Sequence, residues 1–231
     1  METIKNTTEM LVLRIDANEP LANAIRRSLS GIPTLAIDEV EIYKNDSALY
    51  DEVIANRLGL VPLKTEKSMS SKTKINMKLS KKGPGQVYAE DLQGPATVVH
   101  PRTPITLLGE SHKLELMATA TLGTGKEHAK HIPGLCYYRH LLEVKSTPAI
   151  DKIIETSNGL VKPEKKGGKW ICDINEAIVN DVEKADKNAI QDSKELLFII
   201  ESYGSMPAKD ILAEAIKALE KNLDEFEKGI K

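Results

Sequence analysis

The sequence predicts an α+β protein in which both ends of the chain form one unit and a β-rich domain is inserted between them. Three observations predict it: helical periodicity near both ends, period-two alternation in the middle, and a change of composition after residues 45–47. We therefore expect a discontinuous terminal unit made of residues 1–45 plus 192–231. Residues 46–147 would form the inserted β-rich domain, and residues 148–191 a short connector.

The terminal unit begins with a predicted strand from Met10 to Ile15 and a predicted helix from Pro20 to Ser30. Asn18 can cap this helix, and proline suits its first turn because the N–H that proline lacks has no partner there. The apolar residues that share one face of the helix are Leu21, Ala22, Ile25 and Leu29. A glycine and a proline then end the helix, and Leu35 to Ile42 is expected to be a strand.

Alternation of apolar and polar residues predicts two strands in the inserted domain. Ile75, Met77 and Leu79 alternate with polar residues, which is typical of a half-buried strand. A longer alternation places apolar residues at Leu114, Leu116, Ala118, Ala120 and Leu122. Glycine and proline residues between these runs supply the turns.

The connector is polar, and the chain then returns to the terminal unit. We expect an exposed loop at residues 162–169, which are rich in lysine and glycine, and a helix that runs from Asp173 toward Ala185. Leu196 to Ser202 is expected to be a strand. Pro207 is suited to the opening turn of the last helix.

The last helix carries a regular apolar stripe. Its large apolar residues are spaced 4, 3, 4, 3 and 4 positions apart, and they are Leu212, Ile216, Leu219, Leu223, Phe226 and Ile230. This spacing is an a/d seam over nearly three heptads. A helix of roughly 23 residues spans about 35 Å, and the first helix is too short to cover it. The seam either packs wholly on the chain's own sheet or is shared with a partner chain, and its length favours the partner.

Composition excludes several classes of protein. A hydrophobic fraction of 41% and a charged fraction of 29% are ordinary for a globular chain. A net charge of −2 argues against a strongly basic nucleic-acid binder. The only cysteines, Cys136 and Cys172, give no disulfide framework. We see no apolar signal segment and no run of the roughly 20 apolar residues that span a membrane, so we expect a cytoplasmic protein without membrane contact.

One candidate metal site consists of His128, His131, Cys136 and His140. Both residue types bind zinc, but no paired-cysteine knuckle accompanies them. A Pro-Gly pair at residues 133–134 also interrupts any helix that would align them. We interpret these residues as packed or hydrogen-bonded side chains and predict no metal. The alternative is a zinc-dependent enzyme that uses the cluster from His128 to His140.

Other catalytic motifs fail on inspection. Residues 123–126 read Gly-Thr-Gly-Lys, but the phosphate loop's earlier glycine is missing and Glu127 stands where Ser or Thr must follow the lysine. The sequence contains no G-x-S-x-G elbow and no D-x-D-x-D run that would hold Mg²⁺. We therefore expect no catalytic residues in this chain.

Four stretches carry a resemblance to a known family. Residues 22–40 read as a helix, a sharp stop and a strand, and residues 51–63 (DEVIANRLGLVPL) resemble a D-E-x-x-x-H-R-L-G-L-x-P-L signature. Residues 122–130 are similar to G-x-G-K-E-H-A-K, and residues 198–211 resemble a final strand, turn and helix start. Together they resemble the α-like subunits of multisubunit DNA-directed RNA polymerases, in particular the archaeal branch of this third-largest-subunit family.

This resemblance implies that the terminal segments make a dimerisation domain, a sheet backed by two helices. Such a domain pairs through its helices with the smaller subunit L. The heterodimer, with small subunits N and P, is then the platform for the large catalytic subunits. The chain would contribute to nucleotidyl transfer architecturally and would reach DNA only through the complex. A stand-alone homodimeric scaffold that uses the same seam is a second alternative.

The predicted contact residues fall into two groups. Those expected at the dimerisation interface are Leu21, Ile25, Leu29, Leu212, Ile216, Leu219, Leu223, Phe226 and Ile230. Those that the resemblance implies at a contact with the large subunits are Arg26, Arg27, Arg57, Leu58 and Gly59. Arginine suits such contacts because its guanidinium group can make bidentate hydrogen bonds.

The sequence departs from the family pattern at two places. Asn56 stands where the signature has histidine. Some members also hold an iron–sulfur cluster in a ferredoxin-like third domain, and such a cluster usually takes four thiolates. The corresponding connector here contains only Cys172. We therefore predict a shortened connector without an Fe–S cluster, and no other cofactor.

Overall fold

A computed structural model of the chain describes residues 1–230, which contain five helices and eleven strands. The strands are β1 (Glu2–Asn6), β2 (Met10–Asp16), β3 (Thr34–Asn45), β4 (Lys74–Lys82), β5 (Gly85–Tyr88), β6 (Pro104–Leu108), β7 (Lys113–Gly123), β8 (Gly134–Lys145), β9 (Glu164–Lys166), β10 (Lys169–Cys172) and β11 (Ile190–Ser202). The helices are α1 (Glu19–Ser28), α2 (Asp51–Gly59), α3 (Pro148–Glu155), α4 (Glu176–Ala185) and α5 (Ala208–Gly229). The fold is mixed α and β with antiparallel sheets. Within residues 1–230, no helix combines the length and the apolar character that crossing a membrane requires.

A six-stranded sheet holds the two ends of the chain together. Its strand order is β1-β2-β11-β8-β10-β9, and each neighbouring pair is antiparallel. In the central strand β11, Phe198 pairs with Leu13 of β2 on one side and with Tyr138 of β8 on the other. The segment from Leu196 to Ile200 is buried on both faces of the sheet. Burial on both faces explains why this strand is a continuous apolar run rather than an alternation.

Helices α1 and α5 cover one face of this sheet. Phe198 faces them, and Ile211 of α5 is buried in the same core. The predicted cap of α1 is confirmed, since Oδ1 of Asn18 accepts a hydrogen bond from the Leu21 N–H at 3.0 Å. The cap fixes where the helix starts and therefore how its apolar face meets the sheet.

The inserted part of the chain has its own aliphatic core. β3, β7 and β4 form a three-stranded sheet in that order, and β5 pairs with β6 beside it. Helix α2 packs into this core through Ile54 and Leu58, which are fully buried. The apolar positions predicted in β7 also lie in the core, from Leu114 through Ala120.

Two strands join sheets other than those that the sequence predicts. β3, expected in the terminal unit, pairs with β7 from Thr34↔Gly123 to Asn45↔Leu114. β8, expected in the inserted domain, pairs with β11, for example Cys136 with Ile200. Alternation identifies a strand but not its neighbour, because the ladder is made by backbone groups that every residue carries. The two sheets therefore exchange one strand each relative to the prediction.

The connector folds around a core of its own. Its buried apolar residues are Val144, Ile150, Ile154, Trp170, Cys172, Val182 and Ala189. Residues 162–169 do not form the loop expected from the sequence, because most of them lie in the β9–β10 hairpin. Gly167 and Gly168 have φ values of +57° and +81°, as a two-residue hairpin turn requires. Strands of three and four residues are too short for alternation to reveal.

Asp151 joins α3 to this hairpin. Its carboxylate accepts hydrogen bonds from Trp170 Nε1 at 2.7 Å and from Lys165 Nζ at 2.8 Å. The Lys165 ammonium and the Trp170 indole hold the pKa of the Asp151 carboxyl down at about 2. The connector is thus held together by a polar link at one end of its apolar core.

The two sheets meet at a hydrogen-bonded junction. The Thr65 N–H donates to the Ser205 carbonyl at 2.9 Å, and the Leu35 N–H donates to Thr65 Oγ1 at 3.0 Å. Next to them, Gly204 has a φ of +96°, and a Cβ there would lie 2.3 Å from Cγ1 of Val99. Only glycine allows this backbone to approach so closely with a positive φ.

Candidate protein–protein interface

The second half of α5 projects beyond the rest of the chain. Ala215 in its first half is buried, whereas every residue from Glu220 to Ile230 is exposed. Within the projecting half, the side chains of Leu223, Phe226 and Ile230 are 60%, 70% and 71% exposed. Single exposed apolar residues are common, but a contiguous row of them marks a contact site.

The exposed residues continue a stripe that begins in the core. We define the α5 stripe as Leu212, Ile216, Leu219, Leu223, Phe226 and Ile230. Leu212 and Leu219 are half-buried, and Leu212 packs against the core beneath α5. Spacings of three and four residues place all six on one side of the helix. The chain's own core therefore covers Leu212 in part, whereas Ile216 is 39% exposed and the end of the stripe lies in solvent.

Helix α1 contributes less to the exposed face than the sequence predicts. Leu21 is exposed and Ile25 is half-buried, so both can contribute to a surface beside α5. The assignment of Leu29 to the interface is wrong, because Leu29 is buried in the core with Ile32 and Ala208. After Ser28 the chain tightens into a 3₁₀ turn, which directs Leu29 under α5 rather than along the outer face of α1.

Two arginines of α1 lie on the protein surface. Arg26 is exposed, and its guanidinium group donates to Oδ1 of Asn23 at 2.9 and 3.2 Å. Arg27 is exposed as well. Both positions are accessible to another subunit, which is what the resemblance implies for them.

The predicted contact segment in α2 divides into exposed and buried residues. Arg57 is exposed, and its Nη1 donates to the carbonyl of Ile105, so its aliphatic part lies over β6. Leu58 is fully buried, and its assignment to a large-subunit contact is wrong. Gly59 is half-buried, and a Cβ there would lie 3.6 Å from the Ile37 carbonyl oxygen. Helical geometry explains the difference, because consecutive residues lie 100° apart and Leu58 faces the core while Arg57 faces solvent.

Sequence reasoning missed the outer face of α2. Tyr50, Val53 and Leu60 are exposed there, and Leu60 is 57% exposed. These residues lie on the same side as Arg57, since the four positions are separated by three, four and three residues. That helical spacing was the available signal. An exposed face that combines tyrosine, arginine and leucine has a composition suited to protein contacts.

The histidines of the candidate zinc site have separate partners. His128 Nδ1 accepts from the Lys130 N–H at 3.1 Å, and His131 is buried with its Nδ1 2.7 Å from the Thr34 carbonyl oxygen. His140 contacts Glu19 through Nε2 at 2.9 Å and the Ser193 carbonyl through Nδ1 at 2.7 Å. His128 and His131 belong to one short 3₁₀ turn but make separate contacts, and His140 lies elsewhere, on β8.

Cys136 does not join these histidines either. It is buried beneath α1, and burial raises the pKa of its thiol to about 12. His140 follows four residues later on the same strand, so the two Cα atoms are about 13 Å apart at roughly 3.3 Å per residue. Among residues 1–230, no group of three or more His, Cys, Asp and Glu side chains could hold a metal ion. The zinc-enzyme alternative thus receives no geometric support.

Comparison with known proteins identifies the relatives of this chain. Residues 23–135 match the family model described as the RNA polymerase Rpb3/RpoA insert domain. The DNA-directed RNA polymerase subunit Rpo3 of Thermococcus kodakarensis is 32% identical over 98% of this chain and 94% of its own length. The Rpo3 subunit of Pyrococcus furiosus is 34% identical over 89% and 86% of the two chains, respectively. That of Methanothermobacter thermautotrophicus is 34% identical over 93% and 92%.

Leu58, on the buried face of α2, and Leu60, at its exposed end, offer a matched pair of substitutions. We expect Leu58→Ala to lower the free energy of unfolding by about 2–5 kcal/mol, because it leaves a cavity in the core. Leu60→Ala removes the same atoms from the surface and should change the free energy of unfolding by no more than about 0.5 kcal/mol. Urea denaturation followed by circular dichroism measures both. Equal losses would contradict the orientation of α2.

The contact between His140 and Glu19 predicts a pH-dependent link between β8 and α1. Hydrogen bonds to the Glu19 carboxylate and then to the Ser193 carbonyl raise the pKa of His140. The stabilisation is therefore complete below the unfolded pKa of about 6.5 and is lost as pH rises through the higher folded value. Glu19→Gln should lower the Tm relative to the parent chain at about pH 5.5, and the difference should shrink by about pH 8.5. A difference that is independent of pH would show that His140 does not titrate against Glu19.

Proposed function

The chain belongs to the Rpo3 family of archaeal DNA-directed RNA polymerase subunits, and we propose that it acts as a non-catalytic assembly subunit in transcription. In this proposal it forms a heterodimer with subunit L through the α5 stripe and the exposed part of α1. The heterodimer, with small subunits N and P, is the cytoplasmic platform on which the large catalytic subunits assemble. The observation that carries the proposal is the exposed apolar end of the α5 stripe.

The energetics of the stripe support a partner that also contacts α1. Burying one large apolar side chain contributes about 1.5–3 kcal/mol, whereas association costs on the order of 4–15 kcal/mol in lost freedom of motion. Leu223, Phe226 and Ile230 alone would therefore barely hold a partner. Leu21 and Ile25 provide further apolar surface on the neighbouring helix. A stable complex thus needs both helices, as expected for a domain that pairs through a helical surface.

The sequence supports an architectural role rather than a catalytic one. Phosphoryl transfer by a polymerase requires acidic residues that hold Mg²⁺ together, and this sequence has no D-x-D-x-D run. The chain is acidic overall, with a net charge of −2, which does not favour DNA binding by the isolated subunit. We propose that contact with DNA is made only through the assembled complex.

We place the contact with the large subunits on the exposed arginines and on α2. Arg26, Arg27 and Arg57 are accessible, and a guanidinium group can make several hydrogen bonds at once. The outer face of α2 adds Tyr50 and Leu60 next to Arg57. This surface contains both apolar area and a charged donor, so it suits a second, separate partner.

Two substitutions at the end of the α5 stripe test the heterodimer. Leu223→Asp plus Phe226→Asp should leave the fold intact, because both side chains are mainly exposed and lie beyond the buried part of α5. Binding to subunit L would bury two unpaired carboxylates, so we expect affinity to fall by roughly 100-fold or more. Co-expression with subunit L, followed by size-exclusion chromatography with light scattering, measures the loss of the 1:1 complex.

A matched control lies on the opposite side of the same helix. Lys221→Gln plus Lys228→Gln changes the net charge by the same amount and should leave the complex intact. If the stripe variant still forms a 1:1 complex, the stripe is not the interface. If the parent chain forms a stable dimer that subunit L does not displace, the homodimeric scaffold is the better interpretation.

We also propose that the chain contains no Fe–S cluster and no zinc. Its only cysteines, Cys136 and Cys172, are buried, and burial raises the pKa of their thiols to about 12 and about 11. Both values disfavour the thiolate that binds metal, and the usual cubane cluster needs four such ligands.

Metal analysis tests this expectation. Protein purified without oxygen from iron- and zinc-supplemented cells should contain neither stoichiometric metal nor acid-labile sulfide. Chelator treatment should leave its Tm unchanged, because apolar side chains fill the connector core. Iron and sulfide in equal, stoichiometric amounts would overturn the proposal.

A further inference from the structure

A cleft opens where the two sheets of the chain meet. Its volume is about 450 Å³, and the turn that leads from β11 to α5 forms part of its lining through Tyr203 and Ser205. The apolar residues that line the rest of it include Leu35, Leu60, Pro62 and Ile132. We call it the Ser205 cleft. Clefts of this size, with apolar walls and a few polar groups, are typical of binding sites.

Ser205 lies in the lining of this cleft with an unused hydroxyl group. The residue is 3% exposed, and within residues 1–230 its Oγ is the one buried side-chain nitrogen or oxygen that has no hydrogen-bond partner. The aliphatic hydroxyl groups of Thr34 and Ser202, which also line the cleft, both donate to backbone carbonyls. A buried hydroxyl without a partner lowers stability. A bound group that forms a hydrogen bond with Ser205 would remove this cost.

The charge in the cleft is already paired. Lys130 is the one lysine, arginine, aspartate or glutamate among the described residues that line it, and its Nζ donates to Oδ1 of Asp38 at 2.7 Å. An occupant therefore needs no charge of its own. It needs apolar surface to fill the cleft and a hydrogen-bonding group where it reaches Ser205. Tyrosine and tryptophan combine these two properties.

Leu60 connects the cleft to the outer face of α2. It belongs to that face, it is 57% exposed, and it also lines the cleft. A partner that lies along the outer face of α2 therefore reaches the opening of the cleft.

Backbone hydrogen bonds fix the lining of the cleft before a partner binds. The Val99 N–H donates to the Pro62 carbonyl at 2.9 Å, and the Tyr203 N–H donates to the Pro133 carbonyl at 3.0 Å. A cleft that is already formed costs a partner less lost freedom of motion than one that must be ordered.

We propose that the Ser205 cleft receives one tyrosine or tryptophan side chain of a large polymerase subunit, whose polar tip forms a hydrogen bond with the Ser205 hydroxyl. The inference rests on the proposed contact between α2 and the large subunits and adds the side chain that anchors this contact. A serine side chain has one heavy-atom torsion, so its hydroxyl turns toward an occupant by a single rotamer change. Aromatic side chains in such pockets carry much of the binding energy of protein interfaces.

Ser205→Ala tests the hydroxyl, because its two expected effects have opposite signs. Loss of a buried, unpaired hydroxyl should raise the Tm of the free chain by about 2–4 °C. Loss of its hydrogen bond in the complex should weaken binding of the heterodimer with subunit L to the large catalytic subunits by at least about fivefold. Scanning calorimetry measures the Tm, and titration of a fluorescently labelled heterodimer with the large subunits measures the affinity. If Ser205 serves only the fold, the variant should have an unchanged or lower Tm and bind as the parent does, which would overturn the proposal.

Ala129→Leu tests occupation of the cleft. Ala129 lines the cleft and is exposed, so leucine there should narrow the opening and keep the Tm within about 2 °C of the parent value. We expect the affinity for the large subunits to fall by at least about tenfold. The matched control is Ala185→Leu at the exposed end of α4, which should bind as the parent does. Equal effects of the two substitutions would contradict a role for the cleft.

The outcomes separate this inference from the proposed function. If the parent heterodimer does not bind the large subunits at all, the proposed function fails. If it binds and both cleft variants bind equally well, only the present inference fails. A loss with Ala129→Leu alone would mean that the occupant forms no hydrogen bond with Ser205, and this result would also overturn the proposal.

Discussion

Pairing of β11 with β2 and β8 is the interaction on which the rest of the structure depends. Phe198 and its neighbours are hydrogen-bonded on both sides and buried on both faces. Leu196, Phe198 and Ile200 belong to the core under α1 and α5, while Leu197 and Ile199 belong to the core on the other face with Val161. The strand β11, near the end of the chain, therefore contributes to two cores. It also pairs with β2, which lies near the start of the chain. β2 and β8, which precede and follow the three-stranded sheet along the chain, both pair with β11.

The position of α5 follows from that anchoring. Gly204 and the turn around it lead directly from β11 into the helix, so the sheet determines where the helix begins and which side it buries. The burial of α5 ends near Leu219, well before the helix itself ends. The stripe begins at Leu212 against the core of this chain and continues past the end of that core. Its exposed part is suited to pack against apolar residues of another chain. The fully buried residues of α5 are Ala208, Ile211 and Ala215, which lie beside the stripe rather than in it, so the helix packs on its own core and still presents an apolar side to solvent.

Local sequence patterns predicted the elements well and their long-range relations poorly. The Asn18 cap, the alternation in β7 and the helix after Pro207 depend on neighbours a few positions away, and the structure contains all three. The sheets of β3 and β8 depend on partners that are distant along the chain, so periodicity does not identify them. The sequence assigns Leu29 to the interface because it continues the apolar face of the first helix, and it assigns Leu58 to a subunit contact because it lies in the segment that resembles the family signature. Their burial is decided by the 3₁₀ turn and by the core beneath α2, which are properties of the packed structure.

The short hairpin at the far end of the six-stranded sheet has a consequence for solubility. An open sheet leaves unpaired N–H and C=O groups on its outermost strands, and these attract other strands. Here one outermost strand, β9, has only three residues, Glu164, Lys165 and Lys166, and all of them are charged. The other, β1, is short and mostly exposed and contains Glu2 and Lys5. Charge therefore protects the backbone at both margins of this sheet, so the exposed apolar end of α5 is not accompanied by a sheet edge that would join neighbouring molecules.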